Sequence, residues 1–193
     1  MIQIPDQTNF KCVHELECNT LDKIREEVMN WLAEHTDFLE QVQDNGFWKT
    51  IEYKSMARAC PSLLQYLYSI KTPIREISVG LFTEGMTDGV TLHHDSPPLN
   101  FKINFPIYNT QDVWTEWYDI PQHHYDEIKF EDIHDTVDDL YPCLLKYNMH
   151  ECPIVFNSFI PHRVIAGPSA VYPRIMLATM PINDPINLML KKG

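Results

Sequence analysis

The chain has 193 residues, of which 44% are hydrophobic, enough for one domain with a sizeable core. Its 15 Lys and Arg stand against 27 Asp and Glu, a formal net charge of -12 that argues against an unaided grip on nucleic-acid phosphates or anionic membranes. The stretch MIQIPDQTNFKCVHELECN has no basic leader and no apolar run, and nowhere do about 18 apolar residues follow one another as a spanning helix needs. A cytoplasmic protein without membrane or nucleic-acid partners is expected. The cysteines Cys12, Cys18, Cys60, Cys143 and Cys152 form no C-x-x-C pair, so they read as reduced thiols.

Residues 1–73 read as a mixed, largely helical support. A helix is expected from Leu21 to His35, with Leu21, Ile24, Val28, Trp31 and Leu32 on one face and Asn19 or Thr20 as its N-cap. A second helix should follow Cys60, where Pro61 suits the first position and Leu63, Leu64, Leu67 and Ile70 make an apolar stripe that Pro73 ends. From Ile74 the pattern changes to short runs rich in Val, Ile, Phe and Tyr: 74–82, 100–108, 113–118, 153–159, 162–167 and 174–180. Such spacing, punctuated by Gly, Pro, Asn and Asp, predicts an antiparallel sandwich or barrel. Residues 119–141 break the rhythm with eight acidic side chains and one lysine. They read as an acidic insertion or lid over the mouth of the sheet structure.

The chemistry is concentrated in VTLHHDSPPLNFKINFPIYN, residues 90–109. On a strand, alternate side chains share a face, so His93 and Asp95 form one pair and His94 points the other way. A nitrogen and a carboxylate oxygen so placed can take two adjacent corners of an octahedron. A further histidine would complete the two-His, one-carboxylate facial set of non-haem Fe(II) oxygenases. His162 is the candidate, 67 residues after Asp95. Arg174 follows twelve residues later at the next strand start, where its two-pronged fork could hold a distal carboxylate. Lys102 and Asn104 share a parity opposite to Phe101, Ile103 and Phe105, and face the pocket if that trio packs outward. Arg163, next to His162, should face away, while Tyr118 is a further pocket-lining candidate. A second metal site from His123, His124, Asp126 and His134 is disfavoured against a solvated loop.

The ordered set H93-x-D95, His162, Arg174, with NFKINFPIYNT and FIPHRV, resembles the 2-oxoglutarate and Fe(II)-dependent oxygenases, nearest to their aspartyl/asparaginyl β-hydroxylase-like and prolyl-hydroxylase-like branches. The resemblance covers Ile74 to Pro181. It implies a single mainly β domain with flanking helices, built as a double-stranded β-helix, or cupin-like jelly roll. It implies Fe(II) held by His93, Asp95 and His162, with Arg174, Lys102 and Asn104 serving 2-oxoglutarate. Hydroxylation of an amino-acid side chain, free or in a peptide or protein, is the activity it implies. Met176 stands where the family's R-x-S pattern has serine. The rival readings are a cupin-type dioxygenase without 2-oxoglutarate and a non-catalytic jelly-roll binding module with a vestigial metal site.

Overall fold

A computed structural model describes residues 9–44, 48–83, 90–95 and 100–191. The first eight residues of the N-terminal stretch lie outside the described residues. Two antiparallel sheets form the body of the described chain. The larger has the order β1 (Val13–Glu15), β8 (Ile154–Asn157), β5 (Phe101–Tyr108), β10 (Arg174–Pro181), β3 (Ile74–Phe82) and β2 (Trp48–Ile51). The smaller has the order β4 (Val90–His93), β9 (His162–Ala166), β6 (Val113–Tyr118) and β7 (Cys143–Asn148). The architecture is a mainly β sandwich with helices against the outer faces of both sheets.

Strand alternation explains why the larger sheet is covered on both faces. On its outer face Ile77, Val79, Leu81, Phe101, Ile103, Phe105, Val155, Ile175 and Leu177 join one core with the helices. Helix α1 (Leu21–Glu34) supplies Leu21, Ile24, Val28, Trp31 and Leu32, the stripe that its 3.6-residue period dictates. At about 2 kcal/mol for each fully buried side chain, that stripe is what docks the helix on the sheet. Thr20 occupies the N-cap position but makes no side-chain capping bond. Helix α4 (Pro61–Ser69) contributes Leu63, Tyr66 and Leu67, with Pro61 in its first turn. Between these lie α2 (Thr36–Asp44) and α3 (Tyr53–Ala59).

The other parity of the larger sheet faces the smaller one. Phe82, Ile154, Phe156 and Met176 meet Trp117, Met149 and Ile160 there. This inter-sheet layer is small and aromatic, and it surrounds the histidines described below. At its edge the Trp48 indole lies on Gly80, where an added Cβ would come within 2.9 Å of the ring.

The acidic insertion is itself folded. It folds into a turn at 122–124, α5 (Phe130–Ile133) and α6 (Val137–Leu140), packed on the outer face of the smaller sheet. Leu92, Tyr118, Ile120 and Val137 form its buried centre, with Tyr125, Ile128, Phe130, Ile133 and Tyr141 against them. The apolar residues scattered among its acids thus make a third core, which the charge count hid. A last short helix, α7 (Ile186–Met189), lies near the N-terminal strand. No described helix is long and apolar enough to cross a membrane, and the five cysteines are unpaired.

Candidate metal centre

His93 closes β4 and His162 opens β9, and the antiparallel register sets them directly opposite each other. Their rings lie 4.3 Å apart, centroid to centroid. Each ring is held by its Nδ1. That of His93 meets the Thr91 carbonyl at 2.7 Å, and that of His162 meets the Ile160 carbonyl at 2.8 Å. A carbonyl can only accept, so both Nδ1 atoms carry the proton and both Nε2 atoms keep a lone pair. This is the tautomer that metal ligation through Nε2 requires. Burial, reinforced at His162 by the neighbouring His93, holds both imidazoles neutral by lowering their pKa values, that of His162 to about 3. His162 is only 3% exposed, wedged edge-on against Phe156.

Asp95 lies beside this pair, though not by strand alternation. The strand ends at His93, and Asp95 is positioned by its backbone N–H, which donates to the Ser158 carbonyl at 2.8 Å. Its carboxylate Oδ2 lies 2.5 Å from the Lys102 ammonium, both side chains being about four-fifths buried. Burial works to raise the Asp95 carboxyl, but Lys102, His162 and a Ser158 hydrogen bond outweigh it and hold it below the usual range. As the side chains stand, no group of three His, Cys, Asp or Glu among the described residues is arranged to hold a metal ion. The two histidines converge, and Lys102 engages the third candidate.

Lys102 and Asn104 do point between the sheets: they pair with Phe156 and Ile154, which belong to that layer. Phe101, Ile103 and Phe105 pack outward against the helices. Asn104 Oδ1 is buried without a hydrogen-bond partner.

Arg174 shares its parity with Met176 and therefore the same inter-sheet side of β10. It is 5% exposed, and its guanidinium lies 4.8 Å from the Phe82 ring centre, across the strand pair. Among the described residues its Nε has no hydrogen-bond partner and no carboxylate pairs with it. Burial pulls its pKa down to about 10, so it remains a cation at neutral pH. The inter-sheet space thus holds two cations, one carboxylate and two neutral imidazoles. Two surface clefts, of about 670 and 960 Å³, lie elsewhere and carry none of these residues.

The neighbours of these residues face outward. Arg163 donates to Glu116 at 2.9 Å, to Asp138 at 2.5 Å and to the His134 carbonyl at 2.7 Å, and its guanidinium lies over the Tyr118 ring. Tyr118 donates to Glu116 and Asp138, so it belongs to this network and not to a pocket between the sheets. His94 is packed by Tyr125 at 4.6 Å, Phe130 at 5.3 Å and Phe159 at 5.7 Å. His134 Nδ1 accepts the Leu92 N–H, and His124 lies near the Tyr141 hydroxyl, so those histidines do structural work. Sequence reasoning missed Ser158, which anchors Asp95, and Phe82, which supports Arg174. Both contacts depend on cross-strand register, which no local pattern shows. No family model matches the chain, and no curated protein matches it.

Proposed function

We propose that the protein is an Fe(II)- and 2-oxoglutarate-dependent oxygenase that hydroxylates an amino-acid side chain, free or in a peptide. The observation that carries this reading is Arg174: a buried guanidinium with no described carboxylate, on the same inter-sheet layer as two opposed histidines with free Nε2 atoms. A buried charge that no described carboxylate compensates is costly, so Arg174 fits an anionic ligand. The donor set fits Fe(II), because two imidazoles and a carboxylate suit that ion and leave positions open. The strand connectivity supports the finer fold. From β3 to β10 the chain visits the larger sheet, the smaller, the larger, the smaller twice, the larger, the smaller and the larger again. That interleaving is what a double-stranded β-helix, or jelly roll, requires.

In this reading His93, His162 and Asp95 hold the metal, each oriented from behind by Thr91, Ile160 and Ser158 respectively. Arg174 anchors the far carboxylate of 2-oxoglutarate, and Lys102 and Asn104 offer polar groups nearer the metal. The bound iron and co-substrate supply the chemistry: 2-oxoglutarate and dioxygen become succinate and carbon dioxide, one oxygen atom entering succinate and the other a substrate C–H bond. Trp117, Phe156 and Phe82 keep the surrounding space apolar and exclude water. Neutral histidines at physiological pH keep both ligand lone pairs available.

The test is succinate formation from 2-oxoglutarate by purified protein given Fe(II), ascorbate and oxygen. The expected result is succinate that depends on iron and disappears in Asp95→Ala and His162→Ala. Metal-loaded protein that neither binds nor consumes 2-oxoglutarate overturns the reading. Metal-free protein that binds carboxylates through Arg174 alone would instead favour a binding module with a vestigial metal site.

A further inference from the structure

Lys102 engages Asp95, the third candidate ligand. Its ammonium lies 2.5 Å from Asp95 Oδ2, in a pair that is about four-fifths buried. Lys102 acts on the carboxylate both as an opposite charge and as a hydrogen-bond donor. A single ammonium on one carboxylate oxygen is a contact that another cation can replace. The two histidines beside it already present free Nε2 atoms. The element the described cluster lacks is a carboxylate released from its lysine.

We propose that Lys102 is a built-in counter-cation: it holds Asp95 in the metal-free protein and must give it up when a divalent metal binds, so that it sets the metal affinity of the site. This rests on the metal reading above and adds its regulation. Two physical effects act in the same direction. Lys102 competes directly for the carboxylate oxygen, and its charge repels a divalent cation across a space with few water molecules to screen it. Lys102 also neutralises a buried carboxylate that would otherwise be uncompensated while the site is empty, which explains why the protein retains it there. Once displaced, its ammonium is left facing the inter-sheet layer beside Asn104, free to meet an anionic group of whatever binds next to the metal.

The test is Mn(II) binding without any carboxylate ligand, measured by the loss of the free-ion electron paramagnetic resonance signal. It is run on the parent chain, Lys102→Met, Lys102→Gln, Asp95→Asn and the Asp95→Asn, Lys102→Met double variant. Circular dichroism and thermal unfolding show which variants are folded. The expected result is that Lys102→Met or Lys102→Gln binds Mn(II) at least tenfold tighter than the parent. The metal-free form of the same variant should melt at a lower temperature, because Asp95 has lost its partner. In the Asp95→Asn background the lysine substitution should raise affinity by a clearly smaller factor than it does in the parent, since the competition is gone and only the charge repulsion remains. A folded lysine variant that binds Mn(II) no tighter than the parent overturns the proposal and leaves the metal site standing. Failure of the parent and both lysine variants to bind Mn(II) at all overturns the metal reading itself, and the proposal with it.

Discussion

Arg174→Met should make the ligand-free protein more stable while weakening its binding of 2-oxoglutarate at least tenfold. Burial pulls the guanidinium pKa well below its ordinary value, to about 10. At about 1.4 kcal/mol per pH unit, that difference disfavours the charged, folded form by about 3 kcal/mol. The contact with the Phe82 ring returns about 1–2 kcal/mol of this. Methionine preserves an unbranched apolar stem of similar reach and a favourable sulfur–aromatic contact. The net expectation is a gain of about 1–2 kcal/mol in unfolding free energy, or about 2–8 °C in Tm for a chain of this size. Urea denaturation of both proteins, stripped of metal, measures the first quantity, and a thermal scan measures the second. In the parent, 2-oxoglutarate with Mn(II) should raise Tm further, and in Arg174→Met it should not. An Arg174→Met protein less stable than the parent refutes the reasoning, because Arg174 would then be a satisfied structural residue and not a charge awaiting its anion.

Three other outcomes are expected. Arg163→Met strips Glu116 of its buried partner and unhooks Asp138 and the His134 carbonyl; a loss of about 3 kcal/mol in urea unfolding should follow, with faster proteolysis within 119–141, and an unchanged midpoint would contradict the network's role. His94→Ala removes two ring contacts to the insertion, at Tyr125 and Phe130, and a third to Phe159; it should cost about 1–3 kcal/mol, His94→Phe should recover most of that, and equal losses in both would show that ring packing is not what His94 supplies. Stability should also fall with acidity before the carboxylates titrate. Burial holds folded His162 at about 3 while the unfolded chain takes up its proton near 6.5, so this contribution is complete above about 6.5 and is lost as pH falls toward 3, by about 1.4 kcal/mol per pH unit. Metal-stripped protein unfolded by urea from pH 7 to pH 5 reads that slope; His162→Asn should flatten it by one proton, and an identical slope in the variant would contradict the neutral, buried state.

Long periodic segments were legible in the sequence, and short paired ones were not. The stripe of α1 reads directly from a 3.6-residue repeat of large apolar side chains, and all five predicted residues are buried. Strands β3, β5, β6, β9 and β10 fall where β-branched and aromatic runs lie between turn residues. Strands β1, β2 and β7 escaped because three to six residues at a sheet edge carry little alternation and owe their form to a partner strand. The packing of the insertion was not legible because its eight acids mask Tyr125, Ile128, Phe130, Ile133 and Val137, whose burial depends on the face of β4 and β6 beneath. At the candidate site, alternation separated His94 from His93 and set Lys102 and Asn104 toward the inter-sheet layer. The ion pair of Lys102 with Asp95 stayed hidden, because it depends on how the end of β4 meets the start of β5.

The most direct measurement is an anaerobic titration of Fe(II)-loaded protein with 2-oxoglutarate, followed by the visible charge-transfer band that a chelated 2-oxo acid produces on Fe(II), with iron content determined on the same sample. One iron per chain and a saturable band are predicted. The band should be absent from His162→Ala and Asp95→Ala, and saturation in Arg174→Met should require at least tenfold more 2-oxoglutarate. Iron that binds with no band at any concentration of 2-oxoglutarate, or a band unchanged by all three substitutions, would contradict the assignment of this site.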